Sequence, residues 1–326
     1  NDVASPLPPL PPKPDGGVRL LSWNLNILCG HWDTPVSAAD VAKVISELDA
    51  DILAMQEMPC ESLDQKWDAR LAAPLARVRQ LDEMLAGMGY STLARSPADN
   101  PTLLASRLPL RNVEPFTLDV DGPTASLNHY EGREEVWLES RAALYAEVDV
   151  GSRGTTGLGV YATHLSHKDA TLIKKHANEQ QPQQQAATPT DQVERAEAGG
   201  NMRAAPKEWA DAVTMDGVRR RQAEALMKHW RARRGTAGGS AAGQAAVVLA
   251  DFNQPLQAHY TLEEWGVVSA GLSSPAVAQP LDDGVASLLR AEGFGDAFEL
   301  CGNAHNFGPC RSSPPLTHWT GTTVDF

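Results

Sequence analysis

Four apolar runs of this chain end on side chains of the kind that handle phosphate. The run Val247, Val248 and Leu249 delivers Asp251 and, two residues on, Asn253. On an extended chain these two point the same way, because side chains alternate faces with period two. "LLSWN" ends on Asn24, "DILAMQE" on Glu57 and "VYATH" on His164. Any one of them alone reads as a turn former or a hydrogen-bonded structural group. Together they form an inventory of a different kind. Hard divalent cations take carboxylate and amide oxygens, and magnesium commonly uses only one or two protein carboxylates while keeping several waters. Glu57 with Asn24 makes such a sparse site. A water-derived nucleophile needs a carboxylate to orient it or take its proton, which suits Asp251; phosphate oxygens need donors, which suits Asn253 and His164. The reaction class that fits is metal-assisted hydrolysis of a phosphoester.

Strands and helices alternate so as to position these ends. Strands are expected at 18–24, 51–57, 102–106, 141–150, 157–165 and 245–251. In 37–49, Val41, Val44, Ile45 and Leu48 fall on one helical face, with Ser37 as the cap and Asp40 in the first turn. Leu71, Leu75, Val78, Leu81, Leu85 and Met88 repeat that spacing in 71–88, and Gly89 ends it. Val218, Ala225, Leu226 and Trp230 do so in 217–232, and Val285, Leu288 and Leu289 in a short helix before Gly293. Strands with helices of this length between them imply a layered α/β fold. The long alternating strand 141–150 argues against a purely parallel sheet, since buried parallel strands are apolar on both faces.

Composition narrows the partners. Lys and Arg total 28 against 41 Asp and Glu, a formal charge of -13, so the surface as a whole repels a polyanion and non-specific duplex binding is not expected. No apolar run approaches the roughly 20 residues of a membrane helix. The chain reads as soluble and, by default, cytoplasmic, and an N-terminus upstream of Asn1 is expected because no Met or leader segment opens it. Cys29, Cys60, Cys301 and Cys310 read mostly as free thiols, with Cys301 and Cys310 near enough in sequence for a bridge. Residues 1–17 are proline-rich and read as a linker that packs on nothing, or as a docking ligand for a partner's aromatic groove. Residues 177–216 are Gln-rich and polar and read as a mobile insertion. Residues 233–244 read as a loop between a helix and a strand. The folded domain is expected to run from 18 to 326.

The order of "LLSWNLN", "DILAMQE", "ASRLPL", "YATHL", "VVLADFNQP", "GFGDAF" and "TVDF" resembles the endonuclease/exonuclease/phosphatase superfamily. Each motif is weak alone; the shared order is specific. The resemblance implies a four-layer α/β sandwich, two packed mixed or antiparallel sheets flanked by helices, with the site at one edge. It also implies a catalytic divalent metal, Mg2+ or Mn2+. Carried over by residue, Glu57 is the principal metal ligand, Asn24 neighbours metal or phosphate, His164 contacts phosphate, Asp251 orients the nucleophile and Asn253 holds water or phosphate. Asp325 matches the aspartate that orients the family's catalytic histidine.

That histidine lies in a Ser-Asp-His stretch beyond Asp325, whereas this sequence stops at Phe326. A fragment lacking its last strand or strands is one explanation, and a member that has lost its chemistry is the other. On the first reading the chain as given is weakly active or inactive, and its full-length parent hydrolyses phosphoesters. On the second it is an inactive phosphate-binding or protein-interaction module. Arg219 with Gln222 matches an Arg-x-x-Gln pattern of the family and reads either as a phosphate contact or as a solvated helix face. Trp319 reads as a base-stacking residue or as packing at a sheet edge. His167 reads as a phosphate contact or as the cap of a loop. The substrate is left open among a nucleotide, a nucleic-acid end and a phospholipid head group.

Overall fold

The computed structural model describes residues 12–13, 17–25, 37–58, 72–96, 101–118, 124–130, 133–139, 141–150, 157–166, 218–236, 245–253 and 284–297. Its elements in chain order are β1 (Leu20–Asn24), α1 (Ala38–Leu48), β2 (Ile52–Gln56), α2 (Ala72–Gly87), β3 (Thr92–Arg95), β4 (Leu103–Ser106), β5 (Leu110–Thr117), β6 (Thr124–Tyr130), β7 (Arg133–Glu139), β8 (Ala142–Asp149), β9 (Gly157–His164), α3 (Val218–Thr236), β10 (Ala245–Asp251) and α4 (Val285–Ala291).

Two four-stranded sheets carry the structure, one ordered β1-β2-β4-β3 and the other β10-β9-β8-β5, and β6 and β7 form a separate antiparallel pair. Each large sheet has one parallel pair at one end and antiparallel neighbours beyond it. In the first, β1 runs parallel to β2, and β4 is antiparallel to both β2 and β3. In the second, β10 runs parallel to β9, and β8 is antiparallel to both β9 and β5. The mixed pattern expected from strand 141–150 is therefore present.

Three apolar clusters define four layers. Val41, Ile45, Val78, Leu81 and Leu85 of α1 and α2 pack on Leu53, Met55, Leu103 and Ala105, the outer face of the first sheet. Leu226, Met227 and Trp230 of α3, with Val285 of α4, pack on Tyr145, Tyr161 and Ala250, the outer face of the second. Ile52, Ala54 and Leu104 of one sheet meet Leu144, Val160, Ala162 and Leu249 of the other in the middle. This is why β2 is buried along its whole length: a helix layer covers one face and a sheet the other. Truncating a fully buried member such as Leu81 to Ala costs about 2–5 kcal/mol.

The helix signals act as read. Ser37 caps α1, its side chain accepting from the Asp40 backbone N–H, and Asp49 ends the helix in the left-handed region. Gly89 and Gly293 take φ of +89°, a conformation that favours glycine, just beyond α2 and α4. The helix expected to stop at 232 continues to Thr236, so the loop expected from 233 begins later. Arg233 explains the extra turn: it pairs with Glu114 and lies 5.0 Å from the centre of the Tyr145 ring.

Strands β3, β5, β6 and β7 went unread. Strand β5 contains Pro115 and an irregular register between Arg111 and Glu114, features tolerated at its place on the sheet edge. The proline-rich segment is also less detached than its composition implies. Lys13 reaches Asp51 at 2.8 Å and Asp49 at 2.9 Å, tying that residue to the end of the first sheet away from Asn24. The insertion 177–216, the linker residues other than 12, 13 and 17, and all of Cys29, Cys60, Cys301 and Cys310 lie outside the described residues. Among the described residues no helix is long and apolar enough to cross a membrane.

Candidate active site

The central apolar layer turns polar at one end. Along β9 the residues facing the opposite sheet run Val160, Ala162, His164, and along β10 Val247, Leu249, Asp251. Across from them β2 runs Ile52, Ala54, Gln56, and β1 runs Leu20, Ser22, Asn24. The two parallel pairs put the C-terminal ends of all four strands at the same end of the layer, so register alone sets Asn24 beside Gln56 and His164 beside Asp251. Glu57 follows Gln56 immediately.

Asp251 is the hub. Its side chain is 2% exposed. The Asn24 Nδ2 amide donates to its Oδ2 at 2.8 Å, and the Asn253 backbone N–H donates to its Oδ1 at 2.8 Å. His164 Nε2 lies 3.5 Å from the same Oδ2, close enough for charge to be felt but long for a hydrogen bond. The same Asn24 amide nitrogen reaches Glu57 Oε1 at 3.2 Å, so one side chain bridges the carboxylates of the two sheets. Burial raises the proton affinity of Asp251 above the ordinary carboxyl value; the Asn24 donor, the Asn253 backbone N–H and the charges of Arg141 and Arg219 oppose it.

Two site residues have left-handed backbone without being glycine: Glu57 at φ 58° and Asn253 at φ 52°. Asparagine tolerates this region; glutamate does so at a cost of about 1–2 kcal/mol. Neighbouring contacts hold Glu57 there. Met58 is fully buried in the first cluster, and its N–H donates to the Pro101 carbonyl at 3.0 Å. Asn253 is held by its own side chain, whose Nδ2 donates to the Leu165 carbonyl at 2.9 Å. Such strain, kept in place by its surroundings, is common at functional positions.

Of the residues singled out by sequence, Asn24, Glu57, His164, Asp251 and Asn253 therefore come together. Arg219, at the start of α3, also reaches the cluster, and its Nη1 donates to the Asn253 carbonyl at 2.7 Å. Its neighbour Arg220 is exposed and pairs with Glu224 at 3.1 Å on the solvent side. Asp325, Trp319 and His167 lie outside the described residues.

Arg141 was missed. It is 1% exposed, stands just before β8, and its charge acts on Asp251. Arginine is almost never fully buried without a partner. The only sequence signal was a lone Arg opening an apolar strand. Its meaning depends on the antiparallel pairing that sets Ala143 opposite Thr163, which brings the start of β8 beside the end of β9.

The donor set suits a hard cation. Glu57 offers a carboxylate, and Asn24, whose amide nitrogen lies 3.2 Å from it, offers an amide oxygen on the same side chain. Among the described residues there is no group of three or more His, Cys, Asp or Glu arranged to hold a metal.

The profile of the endonuclease/exonuclease/phosphatase family matches residues 21–325. The chain belongs to that family. The endonuclease/exonuclease/phosphatase fold is accordingly the frame of these two sheets, and the family is one of enzymes that break phosphoester bonds. No match is found among curated proteins. Solved structures similar to this member include an endonuclease/exonuclease/phosphatase from Beutenbergia cavernae, at 17% identity and TM-score 0.45, covering 86% of this chain and 55% of that one. This chain thus spans about half the length of the Beutenbergia protein. The human Nocturnin catalytic domain with bound sulfate is similar at 15% identity and TM-score 0.46, over 94% of this chain and 79% of that one. TDP2 from Caenorhabditis elegans is similar at 15% identity and TM-score 0.39, over 88% and 54%.

Proposed function

We propose that this protein is a divalent-metal-dependent phosphoester hydrolase that works by in-line attack of water. One observation carries the reading: Asn24, Glu57, His164, Asp251 and Asn253, drawn from four strand ends of two sheets, converge on a single polar cluster.

Asp251 is the group that orients the attacking water and accepts its proton. Both its oxygens are fixed by donors, and burial keeps its affinity for a proton above that of a free carboxylate, which suits a base. His164 lies against it, with Nε2 3.5 Å from Oδ2, placed to face the same phosphate. Asn253 has two amide hydrogens; one is spent on the Leu165 carbonyl, and the other would donate to a phosphate oxygen. Glu57 and Asn24 are the residues to hold Mg2+ or Mn2+, which when bound would neutralise charge developing on the phosphoryl oxygens. Arg141 and Arg219 add positive charge around the cluster in a protein whose net charge is -13. That acidic balance favours a small phosphoester, a nucleotide end or a phospholipid head group over a long duplex.

The test, on the full chain that the gene encodes, is turnover of bis(p-nitrophenyl) phosphate, mononucleotides, a short single-stranded oligonucleotide and phospholipid vesicles with Mg2+ or Mn2+, by the wild type and by Glu57→Gln and Asp251→Asn. Chelator-sensitive turnover that both substitutions abolish supports the reading. Phosphate binding without turnover on any of these substrates overturns it in favour of an inactive phosphate-binding module.

A further inference from the structure

Helix α3 does more than cover the second sheet. Its buried face, with Val218, Ala223, Leu226, Met227 and Trp230, packs on that sheet as an amphipathic helix should. Its first turns also carry polar groups aimed inward. Gln222 is 2% exposed, and its Oε1 accepts the backbone N–H of Ser166 at 2.9 Å. One turn earlier on the same face, Arg219 donates to the Asn253 carbonyl at 2.7 Å.

These two bonds land on segments that are already joined. Asn253 Nδ2 donates to the Leu165 carbonyl at 2.9 Å, and the Leu165 N–H donates to the Asp251 carbonyl at 2.9 Å. The connections close a circuit: Arg219 to Asn253, Asn253 to Leu165, Leu165 through the chain to Ser166, Ser166 to Gln222, and Gln222 back through one helical turn to Arg219. His164 precedes this circuit by one residue on β9, and Asp251 precedes Asn253 by two on β10. The strand ladder pairing β9 with β10 stops at His164 and Asp251, so beyond that point hydrogen bonds of this kind must hold the chain.

We infer that Gln222 and Arg219 are positioning residues: the first turns of α3 clamp the ends of β9 and β10 and so fix where His164, Asp251 and Asn253 stand. The inference rests on the hydrolase reading for its kinetic consequence only. A loosened clamp lets the general base drift from the attacking water and Asn253 shift with it, so the larger share of the loss falls on kcat and a smaller share on KM. A misplacement of about 1 Å at such a group costs up to about a hundredfold in rate.

The test uses Gln222→Met, which removes the acceptor at similar volume, together with Arg219→Met and the double variant. With bis(p-nitrophenyl) phosphate and Mn2+, Gln222→Met is expected to lower kcat at least about tenfold while KM changes by a smaller factor. The double variant is expected to fall short of the product of the single effects, because both belong to one circuit. Hydrogen exchange gives a readout independent of activity. Amides at 164–166 and 251–253 should exchange at least about tenfold faster in the variants, with 52–56 and 103–106 unchanged. Exchange that is unaltered at the strand ends, or raised equally throughout, overturns the proposal, as does a rise in KM with kcat preserved. If Gln222→Met does not fold, the wild-type Ser166 amide decides: protection supports the clamp, and exchange at the rate of an exposed loop refutes it. If the full chain that the gene encodes folds but turns over nothing, the hydrolase reading is defeated and the clamp is judged by exchange.

Discussion

Asn24 and Asp251 are 227 positions apart in the chain, yet the amide of one donates to the carboxylate of the other at 2.8 Å. The bond joins the end of β1 in one sheet to the end of β10 in the other. Replacing Asn24 with Leu leaves a buried carboxylate short of a donor, which is expected to cost about 1–3 kcal/mol in urea unfolding. On the proposed function, turnover should drop by about a hundredfold or more, because the base Asp251 loses a donor and the metal loses one of its two protein ligands. Unchanged stability would show that the bond is not formed in solution.

Asp251 places function and stability in opposition. Its folded proton affinity is raised, chiefly by burial, above the ordinary value of 3.8. Below that value both folded and unfolded forms are protonated and no penalty applies. As pH rises through the folded value, the unfolded chain ionises more easily and the fold loses stability. In chelator, Asp251→Asn is therefore expected to be at least as stable as the wild type at pH 7, and to lose that advantage as the pH approaches 4. Denaturant midpoints across that range check the sign.

Glu57 stands in the left-handed region at φ 58°. Glycine takes that conformation without strain, so Glu57→Gly is expected to match or exceed wild-type stability, by up to about 1 kcal/mol, while turnover disappears. A clear loss of stability in calorimetry would mean that the Asn24 bond outweighs the backbone strain.

His229 stands on the inner side of α3, stacked on Phe116 at 4.0 Å, with Tyr161, Tyr145, Glu114 and Arg233 around it. The Tyr161 hydroxyl meets its Nδ1 at 3.1 Å. Burial lowers the proton affinity of the ring and raises that of the Tyr161 hydroxyl, so the phenol keeps its proton and the imidazole stays neutral to accept it. A lowered folded value means stability is complete above the ordinary histidine value of 6.5 and is lost as pH falls through the folded one. Between pH 7 and pH 5 the wild type is expected to lose more stability than His229→Gln. Parallel pH profiles for the two proteins would exclude His229 as the source.

The readable parts of this protein were those where local chemistry and tertiary packing agree. Ser37, Gly89 and Gly293 mark helix ends because their preference is set within a few residues. The strands ending on Asn24, Glu57, His164 and Asp251 were legible because each pairs an apolar run with a polar stop. Strand β5 was not, since Asn112 and Pro115 are turn residues until an edge position makes them harmless. Arg141 was not, because its burial beside Asp251 depends on pairing between β8 and β9 that no short stretch encodes. The last turn of α3 was hidden likewise, its arginines reading as loop until Glu114 and Tyr145 supply them with neighbours.

Residues 20–106 weave one sheet and residues 110–251 the other, and Asn24 and Glu57 belong to the first half, His164 and Asp251 to the second. The proposed reacting centre is thus a seam between two half-molecules. Crowding or hollowing that seam at Ala54, Leu144 or Ala162, a rung or more behind the polar end, would part the halves there and silence the protein while each half kept its own strand pairing.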